Sequence, residues 1–424
     1  MIWAAALTLA AGGVITYFMV TWFSNSDEPA TVTSVARIEE YIQPFVSNKR
    51  FMGSVLVAQG NSILLNKGYG FANLKSNTPN TPSTKFNLAS VTKQFTAASI
   101  LLLEERGKLR VDDPVKKYLP SAPAVWDKIT IFNLLTHTSG IPNYAKFPEM
   151  SWSTPTTPEK QIAGLIDKPL DFSPGQRWEY SNSNYVLLGY LIEKISGESY
   201  GTFLRQNIFV PLGMADSGYD PNGARGSVSA LGYYSTRKGP VVAPHIEASE
   251  EFAAGGIYST TQDLLLWGRG LFGGKVLSPA SLKKMTTPFK NNYALGVYVE
   301  RTYGRLEVWH GGLIDGFLTH LAYYPQAQLV VVVLSNVLDV KTDQIERNIA
   351  SLAHGDGLMG LLGPQGPSDK SARPLAMPIE TNPIPAGKNP PGGSFNDDVG
   401  SMPDYMYPTN RVLKDGPAEK STLR

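Results

Sequence analysis

The chain starts with an uncharged and mostly apolar run from Met1 to Phe23, and its first ionised side chain is Asp27. A run of this length approaches the roughly 20 residues that a helix needs to cross a bilayer. A secretory signal usually has a basic start and a shorter apolar core. We therefore expect residues 1–24 to be a membrane anchor or, as the alternative, a cleaved signal segment. Either one would place the rest of the chain outside the cytoplasm, in the periplasm or at the cell surface.

Beyond this run, the hydrophobic spacing predicts a helix, a hairpin and a second helix. Apolar residues at helical spacing predict a helix that Ser34 caps; they are Val35, Ile38, Ile42 and Phe45. Short β-type runs at Gly53–Ala58 and Ser62–Asn66 are separated by turn residues and predict a hairpin. A long helix is predicted from Ser90 to Arg106, because Gly107 follows it.

The middle of the chain has a helical pattern, whereas its end has a mainly β pattern. Helical stretches broken by Pro and Gly predict a mainly helical subdomain at about residues 111–240. Four β-rich runs separated by turn residues follow it, at Tyr293–Val299, Leu306–Trp309, Phe317–Tyr324 and Leu329–Leu334. Thr342–Ala353 has the pattern of a closing helix. The prediction is an α+β fold, in which an antiparallel sheet of N-terminal and C-terminal strands is flanked by helices around the inserted subdomain.

Composition narrows the class of protein. The 424 residues are 42% hydrophobic and 17% charged, which is typical of a globular protein. A net charge of +2 provides no broad cationic surface, so we expect no nucleic acid partner. No cysteine is present, which excludes disulfides and thiol nucleophiles. The globular domain is expected at residues 33–355, and the Pro/Gly-rich residues 356–424 are expected to form a disordered tail.

The first candidate for chemistry is the pair Ser90 and Lys93. Three residues apart on a helix, the two side chains share a face, and an amine there can serve as the base that a serine hydroxyl needs. Ser90 would also lie near the positive end of the helix macrodipole. The same spacing recurs at Ser235–Lys238 and Ser281–Lys284, where polar surroundings indicate coincidental surface matches.

Two further motifs are candidates. Tyr180 precedes Asn182 by two residues, so a tyrosine that relays protons could lie beside an amide that donates to a substrate carbonyl. His310 is followed by Gly311 and Gly312 at the end of a predicted β-run, where small residues would let a substrate lie along the strand. Each of these motifs, taken alone, is also compatible with a purely structural role.

Taken in order, the motifs Ser-x-x-Lys, Tyr-x-Asn and His-Gly-Gly resemble those of the serine β-lactamase and DD-peptidase superfamily. The similarity is to its class C β-lactamase-like branch of carboxypeptidases, D-aminopeptidases and esterases. The resemblance extends from about Phe51 to Asn336. It includes further stretches at Phe86–Ala89, Gly107–Leu109, Asp112–Pro114, Leu134–Gly140, Pro174–Gly175 and Pro211–Met214.

The resemblance implies a β-lactamase/transpeptidase-like fold and a membrane-tethered serine hydrolase that cleaves an ester or amide, such as a D-amino-acid peptide or a β-lactam. It implies that Ser90 is the acylated nucleophile and that Lys93 is its activating base. Tyr180 would relay the proton to the leaving group, and Asn182 would bind the substrate amide. The implied partner is a small-molecule or peptide substrate, and the sequence does not indicate an oligomeric state.

The third motif departs from the pattern of many β-lactamases, which carry Lys-Thr-Gly. Here His310, Gly311 and Gly312 would line the strand edge, and the backbone N–H groups of Ser90 and Leu313 would form the oxyanion hole. An unperturbed histidine has a pKa near 6.5. We therefore expect anionic substrates to lose binding as the pH rises through the titration of His310, while neutral esters do not.

Two alternatives remain. The first is a non-catalytic binding protein on the same fold. In the second, Ser199 within Gly-x-Ser-x-Gly is the nucleophile of an α/β-hydrolase-type esterase, although helical spacing just upstream argues against the strand that this motif requires. No metal or other cofactor is indicated, because the five histidines lack close ligand spacing; they are His137, His245, His310, His320 and His354. We interpret His137 as a structural hydrogen-bonding residue at a helix end.

Overall fold

The computed structural model describes residues 30–147, 153–219, 229–236 and 238–356. Its α-helices are α1 Ala30–Ser47, α2 Thr92–Glu105, α3 Ile131–Leu135, α4 Pro158–Ile166, α5 Asn182–Ser196, α6 Tyr200–Leu204, α7 Val210–Leu212, α8 Ala248–Gly255, α9 Thr261–Phe272, α10 Pro279–Met285 and α11 Thr342–Ala353. Its strands are β1 Gly53–Gln59, β2 Ser62–Tyr69, β3 Phe71–Asn73, β4 Thr78–Pro79, β5 Phe86–Asn87, β6 Gly218–Tyr219, β7 Tyr233–Tyr234, β8 Val241–Val242, β9 Ile257–Ser259, β10 Tyr298–Thr302, β11 Arg305–Ile314, β12 Phe317–Tyr324, β13 Leu329–Ser335 and β14 Val337–Leu338.

The main sheet has six strands in the order β10-β11-β12-β13-β1-β2, and every neighbouring pair is antiparallel. The chain therefore forms one edge of the sheet from its N-terminal hairpin and the rest from its C-terminal strands. Smaller sheets join β14 to β7 and β8, β3 to β4, and β5 to β9 and β6. The α+β architecture expected from the sequence is confirmed.

Strand β13 illustrates why the sheet is covered on both faces. All seven of its residues are buried, which is the pattern of a strand with packing partners on both sides. Val330 and Val332 belong to the core on the face of α2, α5 and α9, whereas Val331 and Val333 belong to the core beneath α1 and α11. Because successive side chains point to opposite faces, one apolar strand supports two separate layers of helices.

Several expected elements are confirmed and two are corrected. The closing helix spans Thr342–Ala353 as predicted, and β1 pairs with β2 as the predicted hairpin. The first C-terminal strand begins at Tyr298 rather than Tyr293, because Tyr293 forms only isolated bridges before a turn. Ser34 is not a helix cap, because α1 already begins at Ala30.

In the part of the chain that the structure describes, no helix combines the length and the apolar character needed to cross a membrane. The predicted anchor or signal, residues 1–24, lies outside the described residues, as does nearly all of the predicted tail, residues 357–424.

Candidate active site

Ser90 lies in a 3-10 turn, Ala89–Val91, directly before helix α2. Ala89 has a φ of 46°, and its N–H donates to Oδ1 of Asn87 at 3.0 Å. A non-glycine residue held in this left-handed region costs about 1–3 kcal/mol, and such residues concentrate at functional sites. The start of α2 also places positive helix-dipole charge near the turn. Ser90 is therefore held where negative charge developing on its oxygen is stabilised.

Lys93 is one turn further along α2, and its side chain is fully buried. Its Nζ atom lies 3.0 Å from Ser90 Oγ, 2.8 Å from Asn182 Oδ1 and 2.8 Å from the carbonyl oxygen of Ala254. The last two oxygens can only accept hydrogen bonds. A neutral amine has two hydrogens, so both are used by Asn182 and Ala254. The remaining lone pair then faces Ser90, where it can accept the hydroxyl proton.

Electrostatics favour this neutral form of Lys93. Burial lowers the pKa of the amine well below its ordinary value, and the opposing effect of the Glu251 carboxylate is smaller. Glu251 is itself buried and accepts a hydrogen bond from Asn87 Nδ2 at 3.3 Å. A general base works best when its pKa is close to the operating pH. The environment of Lys93 thus suits it to activate Ser90.

The side chains of Tyr180 and Asn182 contact Ser90 Oγ and Lys93 Nζ, respectively, from the start of helix α5. The Tyr180 hydroxyl donates to Ser90 Oγ at 2.8 Å, and Lys93 Nζ lies 4.8 Å from the centre of the Tyr180 ring. The Asn182 N–H donates to Asn143 Oδ1 at 3.2 Å, which fixes the first turn of the helix. The structure therefore brings the pair Ser90 and Lys93 together with the pair Tyr180 and Asn182. About 90 residues separate the two pairs in the sequence.

Strand β11 passes close to the turn that carries Ser90. A Cβ atom at Gly312 would lie 2.2 Å from the carbonyl oxygen of Leu88 and 3.1 Å from Ala89 Cβ, so no side chain fits there. Thr319 on β12 donates to the same Leu88 oxygen at 2.7 Å. Gly312 is thus required by close approach, and the next residue, Leu313, pairs with Leu318 of β12.

His310 precedes Gly311 in the middle of β11, not at its end, and its side chain is fully buried. Its Nδ1 lies 2.6 Å from the Gly311 carbonyl oxygen, which can only accept, so Nδ1 carries the proton. Nε2 then accepts from the Tyr293 hydroxyl at 3.2 Å. Burial is the main cause that lowers the pKa of His310 to about 3. The expected titration near 6.5 is wrong, because the ring is desolvated and neutral.

His137 has the structural role that the sequence predicted. It follows helix α3 with a φ of 56°, and its Nδ1 accepts from the Ser181 N–H at 3.2 Å. Its ring is packed against Tyr180, with 4.3 Å between ring centres, and against Tyr293, with 4.8 Å. His137 therefore packs against the segment that carries Tyr180 and fixes its position.

The Gly-x-Ser-x-Gly alternative fails on its structural context. Ser199 follows helix α5 instead of a strand and is the N-cap of α6, where its Oγ accepts from the Thr202 N–H at 3.3 Å. A nucleophile elbow requires a strand directly before the serine. The expectation that this match is coincidental is confirmed.

In the other two Ser-x-x-Lys pairs the lysine is exposed. Lys284 forms an ion pair with Glu104 at 2.7 Å, whereas Ser281 is buried and its backbone N–H donates to the N-cap Ser278 Oγ of helix α10 at 3.2 Å. Ser235 and Lys238 are both exposed.

Sequence reasoning missed the contribution of helix α8, whose Ala254 carbonyl orients Lys93, and that of Tyr293, which orients His310. The chain bends sharply at Phe252, with a φ of 41°, just before Ala254. The only available signal was the pair Gly255-Gly256, which is too common to identify a site.

Comparison with known proteins identifies the family to which this chain belongs. The family model described as Beta-lactamase matches residues 38–355. A curated relative, the putative penicillin-binding protein PbpX of Bacillus subtilis (strain 168), is 32% identical over 344 residues, which is 78% of this chain and 85% of the relative.

Solved structures share the fold. The octameric penicillin-binding protein homologue from Pyrococcus abyssi matches with a TM-score of 0.69 and 28% identity, over 76% of this chain and 78% of the homologue. The D-stereospecific amidohydrolase from Streptomyces sp. matches with a TM-score of 0.63 and 26% identity, over 76% of this chain and 98% of that one. Both the sequence and the architecture are thus similar to those of proteins whose names refer to penicillin binding or amide hydrolysis.

Proposed function

Because this chain belongs to the Beta-lactamase family, we propose that it is a serine hydrolase that forms an acyl-enzyme on Ser90 and cleaves an ester or amide. The observation that carries the proposal is the pair of contacts on one oxygen. Ser90 Oγ lies 3.0 Å from Lys93 Nζ and 2.8 Å from the Tyr180 hydroxyl. A nucleophile within hydrogen-bond reach of a base that is itself oriented is the arrangement that covalent catalysis needs.

Acylation uses the neutral amine of Lys93. As Ser90 Oγ attacks the substrate carbonyl carbon, its proton passes to Lys93 Nζ. The backbone N–H groups of Ser90 and Leu313 stabilise the oxyanion. Collapse of this intermediate breaks the bond to the leaving group. Tyr180 relays the proton from Lys93 to that group, which leaves Ser90 acylated and both side chains in their starting protonation states.

Deacylation reverses the roles. Water attacks the acyl carbon and loses its proton through Tyr180 and Lys93, and the proton returns to Ser90 Oγ as the acid product leaves. The Nδ2 group of Asn182 is suited to donate to the substrate amide, since its Oδ1 is already bonded to Lys93 at 2.8 Å. The backbone of β11 at Gly311 and Gly312 would accommodate the substrate chain.

For the substrate class, we propose a D-amino-acid amide or peptide, or a related ester. The name of the Streptomyces amidohydrolase supports this class, as does the penicillin-binding name of the Bacillus relative. His310 is neutral, so it provides no fixed positive charge for a substrate carboxylate. That favours substrates whose binding does not depend on an anion at this position.

For the location, we propose a membrane-tethered enzyme whose catalytic domain is outside the cytoplasm. The support is the uncharged run from Met1 to Phe23. Cells that express the full chain and a chain without residues 1–24 would be fractionated. Recovery of both chains in the soluble fraction, with an intact N-terminus, would contradict the tether.

The nucleophile is tested by intact mass. The detergent-solubilised full chain is treated with a fluorophosphonate and, separately, with a penicillin, and S90A and S199A are the comparison variants. We expect one adduct per chain in the native protein and in S199A, and none in S90A. A penicillin adduct in addition would favour D-alanyl-type substrates over simple esters.

The contrary result is equally informative. If a folded native chain gains no adduct from either reagent, the hydrolase proposal fails. The non-catalytic binding protein on the same fold then becomes the better account.

A further inference from the structure

The face of β11 opposite Ser90 carries a second group of ionisable side chains. Because side chains alternate along a strand, His310 and Gly312 face the catalytic side while Glu307 faces helix α11. His320 on β12 and Glu346 on α11 meet Glu307 there. The side chains of all three residues are 0% exposed. This cluster, Glu307–His320–Glu346, has no part in the chemistry proposed for Ser90.

Potential ligand atoms in the cluster lack partners. Glu307 Oε1 and both ring nitrogens of His320 make no hydrogen bond among the described residues, although they are inaccessible to solvent. Burying such groups without a partner is costly, so each requires an explanation. The remaining oxygens are satisfied: Glu307 Oε2 accepts from the Thr302 hydroxyl, and Glu346 Oε1 accepts from the Tyr324 hydroxyl at 3.1 Å.

The charges in the cluster are also poorly balanced. Two buried carboxylates, Glu307 and Glu346, face each other across His320. The nearby cation is Arg347, but its guanidinium is shared between Glu300 at 2.5 Å and Glu307 at 3.6 Å. Burial, followed by the Glu307 carboxylate, raises the pKa of Glu346 well above its ordinary value, which is the response expected where one shared positive charge does not compensate both carboxylates.

The spacing of His320 Nε2, Glu307 Oε1 and Glu346 Oε2 matches a coordination sphere. The first two atoms have no hydrogen bond among the described residues, and Glu346 Oε2 accepts from the Tyr324 hydroxyl at 3.4 Å. His320 Nε2 lies 3.8 Å from Glu307 Oε1 and 3.5 Å from Glu346 Oε2. In a tetrahedral site with bonds of about 2.0–2.2 Å, neighbouring ligand atoms are about 3.3–3.6 Å apart. Among the described residues His320 Nε2 makes no hydrogen bond to either oxygen, and the distances are close to the separation that a shared cation would impose.

We propose that Glu307, His320 and Glu346 bind one divalent cation, with Zn²⁺ the best match to one imidazole and two carboxylates. The ion would connect β11, β12 and α11 behind the strand that carries His310. Trp309 stacks on the His320 ring, with 4.9 Å between ring centres and 17° between planes, and holds its orientation. Since the site is closed to solvent, the ion has a structural role and is incorporated during folding.

The test measures metal content and stability. The full chain is unfolded in denaturant with a chelator, freed of metal and refolded with or without Zn²⁺, and bound metal is then determined by mass spectrometry. We expect one Zn²⁺ per chain and a Tm that is higher by about 5–10 °C than that of the metal-free refolded chain. Refolding with Co²⁺ provides a spectroscopic signature of tetrahedral coordination.

Two variants locate the ion. H320L should lose it, whereas H245L should retain it, because His245 is an exposed histidine that pairs with Glu247 at 3.1 Å and controls for surface binding. If H320L does not fold, the tetrahedral Co²⁺ spectrum of the native chain decides. Absence of bound metal after refolding with Zn²⁺, or its retention in H320L, would overturn the proposal. The result is independent of whether Ser90 is acylated.

Discussion

The two faces of β11 bury ionisable groups in different ways. On the catalytic face, Lys93 Nζ has three partners within 3.0 Å, and these partners decide which form of the amine faces Ser90. On the opposite face, Glu307 Oε1 and the nitrogens of His320 have no hydrogen-bond partner among the described residues. Burial alone therefore does not define a role. The partners that accompany burial distinguish an amine whose hydrogen bonds are all made from side-chain atoms that make none.

The largest effect is expected from K93M, which keeps the length of the buried side chain but removes the amine. Because Ser90 would lose its base, kcat/KM should fall about 10²–10⁴-fold. The thermal transition should remain cooperative, since the site stays filled. The rate of acylation and a thermal melt would be measured on the same sample.

The matched control is K284M, which removes the exposed lysine of the Ser281-x-x-Lys284 pair. Lys284 is exposed and contacts Glu104, so its loss should change stability by no more than about 1 kcal/mol and leave acylation unchanged. Equal losses of activity in the two variants would remove the distinction between Ser90 and Ser281.

On the opposite face, I349A should affect stability and leave the chemistry intact. Ile349 is a fully buried residue of α11 that packs beneath the sheet. Its truncation should cost about 2–5 kcal/mol of unfolding free energy, through lost burial and a cavity. Denaturant unfolding measures the loss. Acylation of the fraction that remains folded should match that of the native chain, and a slower rate would show that the two faces are coupled.

An intermediate effect is expected for G312A, which alters β11 where it meets the Ser90 turn. The added methyl would collide with the Leu88 carbonyl oxygen at 2.2 Å and must displace the strand or the turn. Overpacking of this kind typically costs about 1–3 kcal/mol, and acylation should slow at the same time.

The comparison for G312A is G164A in helix α4, where an added Cβ meets nothing within 4 Å. That variant should be neutral or more stable by up to about 1 kcal/mol. If G312A behaves like G164A in both unfolding and acylation, β11 does not contact the turn as closely as described.

The smallest effect concerns His310. Its pKa is lowered to about 3, so it is neutral and its charge does not change between about pH 5 and 8. The kcat/KM profiles of one anionic and one neutral ester should therefore have the same shape over that range. A selective decline of the anionic substrate near pH 6.5 would mean that the ring is solvated and titrates.

Much of the architecture could be predicted from local patterns. The helix Thr342–Ala353 follows from helical periodicity, because it buries one face, and the hairpin of β1 and β2 follows from two short β-type runs separated by turn residues. The early residues of the predicted strand Tyr293–Val299 were assigned wrongly. β-type composition there reflects burial of Tyr293 against His310 rather than strand pairing.

The candidate site could be predicted only where residues are close in sequence or form a known motif order. Ser90 and Lys93 share a helix face, so their contact is local. The carbonyl of Ala254 and the hydroxyl of Tyr293 could not be predicted, because backbone groups and isolated tyrosines carry no sequence signal. The spacing of histidines likewise gave no indication of the cluster around His320, whose members come from three different elements.

The sequence by itself determined the pattern of apolar and polar residues, and with it the sheet, the covering helices and the order of the three motifs. Only the tertiary structure decided the protonation of the groups that it buries. Lys93 is a candidate base and His310 a neutral ring because each is desolvated among particular partners. Solvation and hydrogen bonding depend on which distant segments meet, and that is a property of packing rather than of spacing along the chain.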